Sequence, residues 1–439
     1  MLEKCDVLVI GGGPAGSTVS TLLARRGFSV TVLEKDVHPR FHIGESLLPA
    51  NLPILHELGV ADEVEAIGMR KWGIEFVSPA HSTTSLLEFA DAWDKSLNYS
   101  YQVRRSEFDE LLLRNAQRNG VQVLEGERAL AVEFDDADDA DGGTPVRVTS
   151  ACGDSRRHWQ ARFLVDASGR DTFLANRFKC KLKNRKHNSS ALFAHFEGVE
   201  RLPGRLEGNI SIFWFEHGWF WLIPLHDGIT SIGAVCWPYY LKSRKGSVEQ
   251  FLLQTIASCP ALAQRTRNAR IAGHVQATGN YSYSSTHSYG RRYVMIGDAY
   301  AFIDPVFSSG VYLAMSSAAI GADAIETCLN RPADAAAALA RFDREVRRGP
   351  REFSWFIYRV TNPTMRELFM APRNVLRTKE ALLGLLAGHI HGTGAAMRAA
   401  LLAFKAVYYA TSLANLRRTI AAWRRRKANI RDDRLPESS

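Results

Sequence analysis

Hydrophobic positions recur along this chain with a period that changes from stretch to stretch, and the changes mark its elements. Val7 to Ile10 is a continuous apolar run that reads as a buried strand. Ala15, Val19, Leu22 and Leu23 then recur at helical spacing, and Gly27 stops that helix. Phe28 to Leu33 is a second apolar strand, closed by Glu34. Short runs carrying Ile210, Ile212, Trp214, Trp219, Trp221, Ile223 and Ile232 are split by Gly, Asp and His, as in a β-sheet. Tyr293 to Ile296 is a further strand, and Ser-rich Tyr281 to Ser288 reads as the loop leading to it. Glu133 to Gly143 is acidic and glycine-ended, which predicts a solvated hairpin loop, not a calcium site. From about Ala333 the pattern is helical and Ala/Leu-rich, punctuated by Pro350, Pro363 and Pro372. The pattern predicts an α/β fold: a Rossmann-like nucleotide-binding domain, a β-sheet substrate side and an α-helical C-terminal region.

Gly11-Gly12-Gly13-Pro14-Ala15-Gly16 lies between the first strand and the first helix. Strand, glycine loop, helix, strand and acid together form the context of a dinucleotide fingerprint. Gly11 permits the tight turn, Gly13 lets backbone N–H groups approach a pyrophosphate, and Gly16 lets helix and strand close up. Glu34 can accept from a ribose hydroxyl. The late strand is followed by Gly297-Asp298, Asp304-Pro305 and Ser308-Ser309-Gly310-Val311. An acid at a strand end before a glycine-bearing helix start suits a second ligand contact; read alone, Asp298 serves equally well as a helix cap.

Composition narrows the class. At 46% hydrophobic and 23% charged, the 439 residues are neither collagen-like nor disordered, and they suffice for two to four domains at roughly 100–200 residues each. The six cysteines form no C-x-x-C pair, so free thiols are expected and zinc is not. His389 and His391 fall two apart in a predicted helical region, about 200° around its axis, so no metal site is expected there. No run of 18 apolar residues occurs, and a strand begins by Cys5, so neither a membrane span nor a signal peptide is expected and the cytoplasm is the expected location. The net charge of +9 hints at an acidic partner. Most of it is local. From Asn415 onward eight basic residues face only Asp432, Asp433 and Glu437, with Leu416, Ile420 and Trp423 at helical spacing among them. This tail suits an acidic carrier protein or weak contact with a membrane surface, or is a solvated helix; nucleic acid is not expected.

Gly11-x-Gly13-x-x-Gly16, Arg105-x-x-Phe108-Asp109, Asp166-Ala167-Ser168-Gly169 and Gly297-Asp298 with Asp304-Pro305 together resemble the FAD superfamily of aromatic hydroxylases. Three further features are similar to those of the flavin-dependent halogenases, of phenol or pyrrole type: Gly44-Glu45-Ser46-Leu47-Leu48-Pro49, Lys71 in Gly68 to Phe76, and Trp219-Phe220-Trp221-Leu222-Ile223-Pro224. The resemblance covers roughly the first 320 residues. It implies an FAD-binding and halogenase core at 1–330, with the FAD part at about 1–75, 101–200 and 285–330. The substrate-side sheet would take about 76–100 and 201–284, and 331–439 would be a helical region with a basic tail.

The resemblance also implies roles. Gly11, Gly12, Gly13, Ala15, Gly16, Glu34, Glu45, Ser46, Arg105, Asp298 and Val311 would contact FAD, used as FADH2. Ser309 and Gly310 would hold chloride or bromide through backbone N–H groups. Trp219 and Trp221 would separate the flavin from the substrate, although W-x-W alone reads more simply as a core pair. Hypohalous acid made from a flavin hydroperoxide would reach Lys71, which would hydrogen-bond it or become a haloamine. Phe307, on the substrate side, stands where tryptophan halogenases have a glutamate, which points to an electron-rich phenol or pyrrole, free or carried on an acyl or peptidyl carrier protein, and away from free tryptophan. No second glycine fingerprint for NAD(P)H is visible, so a separate NAD(P)H flavin reductase is expected as partner. Other readings are a geranylgeranyl-reductase-like double-bond reductase, whose aromatic motif begins with Tyr and ends Phe-Pro, an FAD-dependent aromatic hydroxylase, and a flavin-binding scaffold without turnover.

Overall fold

The structure, a computed structural model, describes residues 2–134, 145–184, 187–279 and 282–431. The acidic segment at 135–143 and the last eight residues of the tail lie outside them.

A parallel sheet carries the glycine loop. Its five central strands run parallel in the order Tyr293–Met295, Ser155–Asp166, Leu2–Ile10, Val30–Glu34 and Gln122–Glu125, and Tyr289–Gly290, Arg128–Glu133 and Val146–Cys152 complete the eight-stranded sheet in antiparallel pairings. Val7, Leu8, Val9 and Val32 are fully buried, as a sheet covered on both faces requires. The helices Pro14–Arg25 and Gly310–Asn330 pack against each other beside it.

The second sheet has seven strands, in the order Arg270–Thr278, Ser190–Glu197, Thr230–Cys236, Gly218–Pro224, Ile210–Phe215, Gly73–Val77 and Ser85–Glu88. Side chains alternate between its faces. Phe196, Phe213, Phe220, Leu222 and Ile232 pack under the helices Val248–Ala257 and Pro260–Arg265. Phe193, Ile212, Trp214, Trp219, Trp221 and Ile223 belong to the core shared with the parallel sheet. Five helices follow: Ala335–Ile357, Pro363–Met370, Thr378–Leu386, Ala395–Ala414 and Leu416–Arg431.

Several expectations need correction. Ser190–Glu197 belongs to the second sheet, not to the nucleotide-binding part, because Ser190 to Phe196 pair with Thr230–Cys236. The second sheet also begins at Gly73, before residue 76. Tyr283–Ser285 is a short strand paired with Lys181–Lys183, so the Ser-rich segment is not all loop. Pro350 lies inside the helix Ala335–Ile357 and does not end it. His389 and His391 sit in the turn between two helices, flanked by Gly388 and Gly392 at positive φ, and pair separately with Asp94 and Glu345.

Candidate active site

Between the two sheets lies an open cavity of about 660 Å³, lined by Gly11, Gly13, Glu34, Arg105, Asp298 and Gly310 among others. Close packing fixes its floor. A Cβ on Gly16 would stand 1.8 Å from the Gly11 carbonyl oxygen, and one on Gly11 would stand 2.4 Å from that of Ala167. Gly11 also has φ +102°, which favours glycine. A Cβ on Gly13 would meet only the end of Arg40, at 3.5 Å, so this backbone is open to the cavity. No side chain caps the helix that follows, which leaves its first N–H groups toward the glycine loop. Glu34 is buried and accepts from the N–H groups of Gly12 at 2.6 Å and Asp36 at 2.8 Å. A carboxylate has lone pairs left after these two bonds, so a ribose hydroxyl can still donate to it.

Arg105 is held by a two-pronged pair to Asp109, at 2.7 and 2.9 Å, and donates to the carbonyl of Ile43 at 2.8 Å. Asp109 also receives Arg40 at 3.2 Å, and these cations hold its carboxyl below the usual range against the cost of its burial. Asp166 accepts from the N–H groups of Ser168 and Leu174, which makes it the tie of its own turn. Asp298 caps no helix. It lies within the turn Gly297–Ala299 at the cavity wall, and burial pushes its carboxyl up to about 6, with Arg105 and Arg170 pulling the other way.

Glu45 lines the cavity and is almost fully buried. Its Oε1 lies 2.8 Å from Nε2 of His195, while its Oε2 has no hydrogen-bond partner among the described residues. Such an orphaned acceptor at a cavity wall fits a ligand that brings a donor. The helix Gly310–Asn330 likewise has no side-chain cap and no acid in its first turn, and it starts at the cavity through Gly310 and Val311. Ser309 is buried at its N-terminal boundary.

Trp219 and Trp221 share one face of their strand, 6.0 Å apart by ring centroids, and both line the cavity. Trp221 Nε1 donates to Ser231 at 3.1 Å. Gly233 lies directly beneath that ring: a Cβ there would come within 2.1 Å of it.

Lys71 ends the strand Met69–Lys71, paired with Ser100–Gln102. Its exposure is 0%. Its Nζ donates to Ser46 Oγ at 2.7 Å and stands 5.5 Å from the Phe89 ring centroid. No carboxylate pairs with it among the described residues, and burial pushes it down to about 7. Lys71 is not on the cavity wall; Ser46 is, so the hydroxyl stands between the amine and the cavity. Phe307 is off the wall too. It is buried and stacks on Phe369 of the helix Pro363–Met370, at 6.2 Å.

Sequence reasoning missed His195, Ser231 and Gly233. Only Gly233 carried a local signal, an isolated glycine within a strand pattern, which marks a close approach. Among the described residues no group of three or more His, Cys, Asp or Glu side chains is placed to hold a metal ion.

A glycine loop feeding an uncapped helix, an acid at each of two strand ends and a large cleft between them define a nucleotide-binding flavoprotein fold, and the lining suits FAD. The profile of the tryptophan halogenase family matches residues 6–92 and 79–367, and the chain belongs to this family of FAD-using flavoproteins. Tryptophan 2-halogenase of Chondromyces crocatus is 36% identical over 357 residues, which are 78% of this chain and 65% of that protein. Flavin-dependent halogenase gsfI of Penicillium aethiopicum is 34% identical over 351 residues, 74% of this chain and 65% of that protein. The chain thus spans just under two thirds of the length of these relatives. Among solved structures, the myxobacterial chondrochloren halogenase CndH is 33% identical with a TM-score of 0.75, covering 89% of this chain and 91% of its own. The flavin-dependent brominase Bmp2 is 27% identical with a TM-score of 0.76, covering 92% and 99%.

Proposed function

We propose that this protein is an FADH2-dependent halogenase of an electron-rich aromatic ring, a phenol or a pyrrole. The observation that carries this reading is Lys71, an amine buried without a counter-charge and bonded to a serine of the flavin cavity. A purely structural lysine gains nothing from such a place, because burying a charge without a partner is costly. In the overall reaction an arene C–H, halide, O2, FADH2 and one proton give the aryl halide, FAD and two waters.

Reduced FAD, when bound, would supply the two electrons that bring O2 to the peroxide level, at which oxygen can take two more electrons from the halide. Gly11 to Gly16, Glu34, Arg105 and Asp298 hold the cofactor. The backbone N–H groups of Ser309 and Gly310 hold the halide at the helix start. Trp219 and Trp221 keep the arene from the flavin, so that the oxidised halogen and not oxygen reaches the ring. Lys71 receives that halogen by way of Ser46 and presents it to the arene, as hydrogen-bonded hypohalous acid or as a haloamine. An amine pushed down to about 7 is substantially neutral near neutral pH, and the neutral form is the one with a free lone pair.

Phe307 supports a phenol or pyrrole, since an aromatic side chain cannot polarise a less activated ring. The substrate is free or carried on an acyl or peptidyl carrier protein. FADH2 comes from a separate NAD(P)H flavin reductase. The helix Leu416–Arg431 leaves Leu416, Ile420 and Trp423 exposed among arginines, a surface suited to an acidic carrier or to weak contact with a membrane surface. Among the described residues no helix is long and apolar enough to cross a membrane.

The test combines the protein with FAD, a flavin reductase, NADH and chloride or bromide. The panel contains phenols and pyrroles, free and carrier-loaded, with tryptophan included. Halogenated phenol or pyrrole is the expected product. Halogenation of tryptophan alone would overturn the substrate assignment. Reduction of isoprenoid double bonds, or ring hydroxylation with NAD(P)H and no reductase, would overturn the activity.

A further inference from the structure

Two sealed donor atoms near the aromatic cluster, one on buried Trp214 and one on half-buried Arg366, have no acceptor among the described residues. Trp214 is fully buried in the strand Ile210–Phe215, and its indole Nε1 has no hydrogen-bond partner among the described residues. The Arg366 guanidinium carbon stands 5.7 Å from the centroid of the same indole ring. Its Nε is sealed from solvent and likewise without a partner, and no carboxylate among the described residues pairs with it. Burial pushes this arginine down to about 10. Arg366 as a residue is half-buried, and its sealed Nε without an acceptor is a place where an arriving anion would gain a charge-assisted bond.

The surroundings connect these donors to the active site. Arg366 and Phe369 are neighbours one turn apart on the helix Pro363–Met370. Phe369 lies against Trp214 at 6.4 Å, Phe76 at 4.9 Å and Phe307 at 6.2 Å. Phe307 leads directly into Ser308 and, two residues on, Gly310, both at the cavity wall. A buried aromatic cluster thus connects the helix start at the cavity to Trp214 and to the arginine over its ring.

We propose that Arg366 and Trp214 form an anion subsite of the substrate site, so that the arene carries a carboxylate or a phosphate held by the guanidinium and the indole N–H. A guanidinium fork suits both anions. The proposal rests on the halogenase reading only for the aromatic part of the ligand. It explains why a helix far along the chain brings a cation to an otherwise apolar cluster. Arg366 would act by binding, with Trp214 as the second donor.

The test is titration calorimetry on the FAD-loaded protein. The probes are pyrrole-2-carboxylate, 4-hydroxybenzoate, the methyl ester of each, and the phosphopantetheinyl thioester of each. The parent should bind an anionic form at least about 10-fold tighter than the neutral ester, the scale of one charge-assisted hydrogen bond. Free acid and thioester arms distinguish carboxylate from phosphate. Arg366→Gln should abolish the preference and Arg366→Lys restore part of it. Trp214→Phe keeps a ring without the N–H and should weaken anion binding severalfold while sparing the ester. FAD content reports that each variant is folded. Equal binding of anion and ester by the parent, a preference kept in Arg366→Gln, or no binding of any probe overturns the proposal. Binding is read without turnover, so a protein that binds the anions and halogenates nothing refutes the halogenase reading and leaves the subsite standing.

Discussion

Replacing Lys71 by methionine should make the protein more stable and less active at once. The ordinary lysine value is 10.5, and burial lowers it to about 7 in the fold. Below pH 7 the amine is charged in both folded and unfolded states, so the whole cost of burying the charge falls on the fold, about 5 kcal/mol. Between 7 and 10.5 the unfolded chain binds the proton and the fold does not, so the parent gains stability as pH rises. At pH 9 about 2 kcal/mol of the cost remains. Methionine removes the charge, keeps the volume and gives up the bond to Ser46, worth about 1 kcal/mol. The net gain is then about 4 kcal/mol at pH 6.5 and about 1 kcal/mol at pH 9. For 439 residues, an unfolding entropy of about 0.9 kcal/mol/K converts these to Tm increases of about 4 °C and about 1 °C. Thermal unfolding of parent and Lys71→Met, with equal excess FAD at the two pH values, reads the difference directly. A Tm difference that does not change with pH, or a variant less stable at pH 6.5, would refute the argument.

Other perturbations act on the cavity. Gly16→Ala puts a methyl group on the Gly11 carbonyl, and the purified protein should lose its FAD, read by its visible spectrum. Gly233→Ala pushes on the Trp221 ring, costing about 1–3 kcal/mol as overpacking, with a lower Tm and a slower halogenation rate at saturating substrate. Glu45→Gln converts the cavity-facing acceptor beside His195 into an amide, and FAD affinity should fall severalfold while the fold, read by circular dichroism, is kept.

The nucleotide-binding half was legible because its signals are local. Gly11, Gly13 and Gly16 lie within six residues, and each answers one steric demand of a single turn. Trp219 and Trp221 were placed on one face by strand period alone, and both line the cavity. Asp298 was ambiguous because a cap and a ligand contact have the same spacing; only its place at the wall separates them. The strand Ser190–Glu197 was assigned to the wrong sheet because pairing partners forty residues away leave no mark on its own pattern. Pro350 misled for a different reason: a helix stabilised by packing tolerates one missing hydrogen bond. His195, Ser231 and Arg366 were invisible, since their meaning comes wholly from side chains distant in sequence.

The role given to Lys71 is the central claim, and mass spectrometry of bromide incorporation tests it most directly. Parent and Lys71→Ala receive the same FADH2 supply, oxygen, bromide and phenol or pyrrole acceptor. The account predicts a bromine isotope doublet on the arene with the parent, and oxygen consumption without the doublet for the variant. A variant that brominates as fast as the parent, or a parent product that gains oxygen instead of bromine, would contradict it.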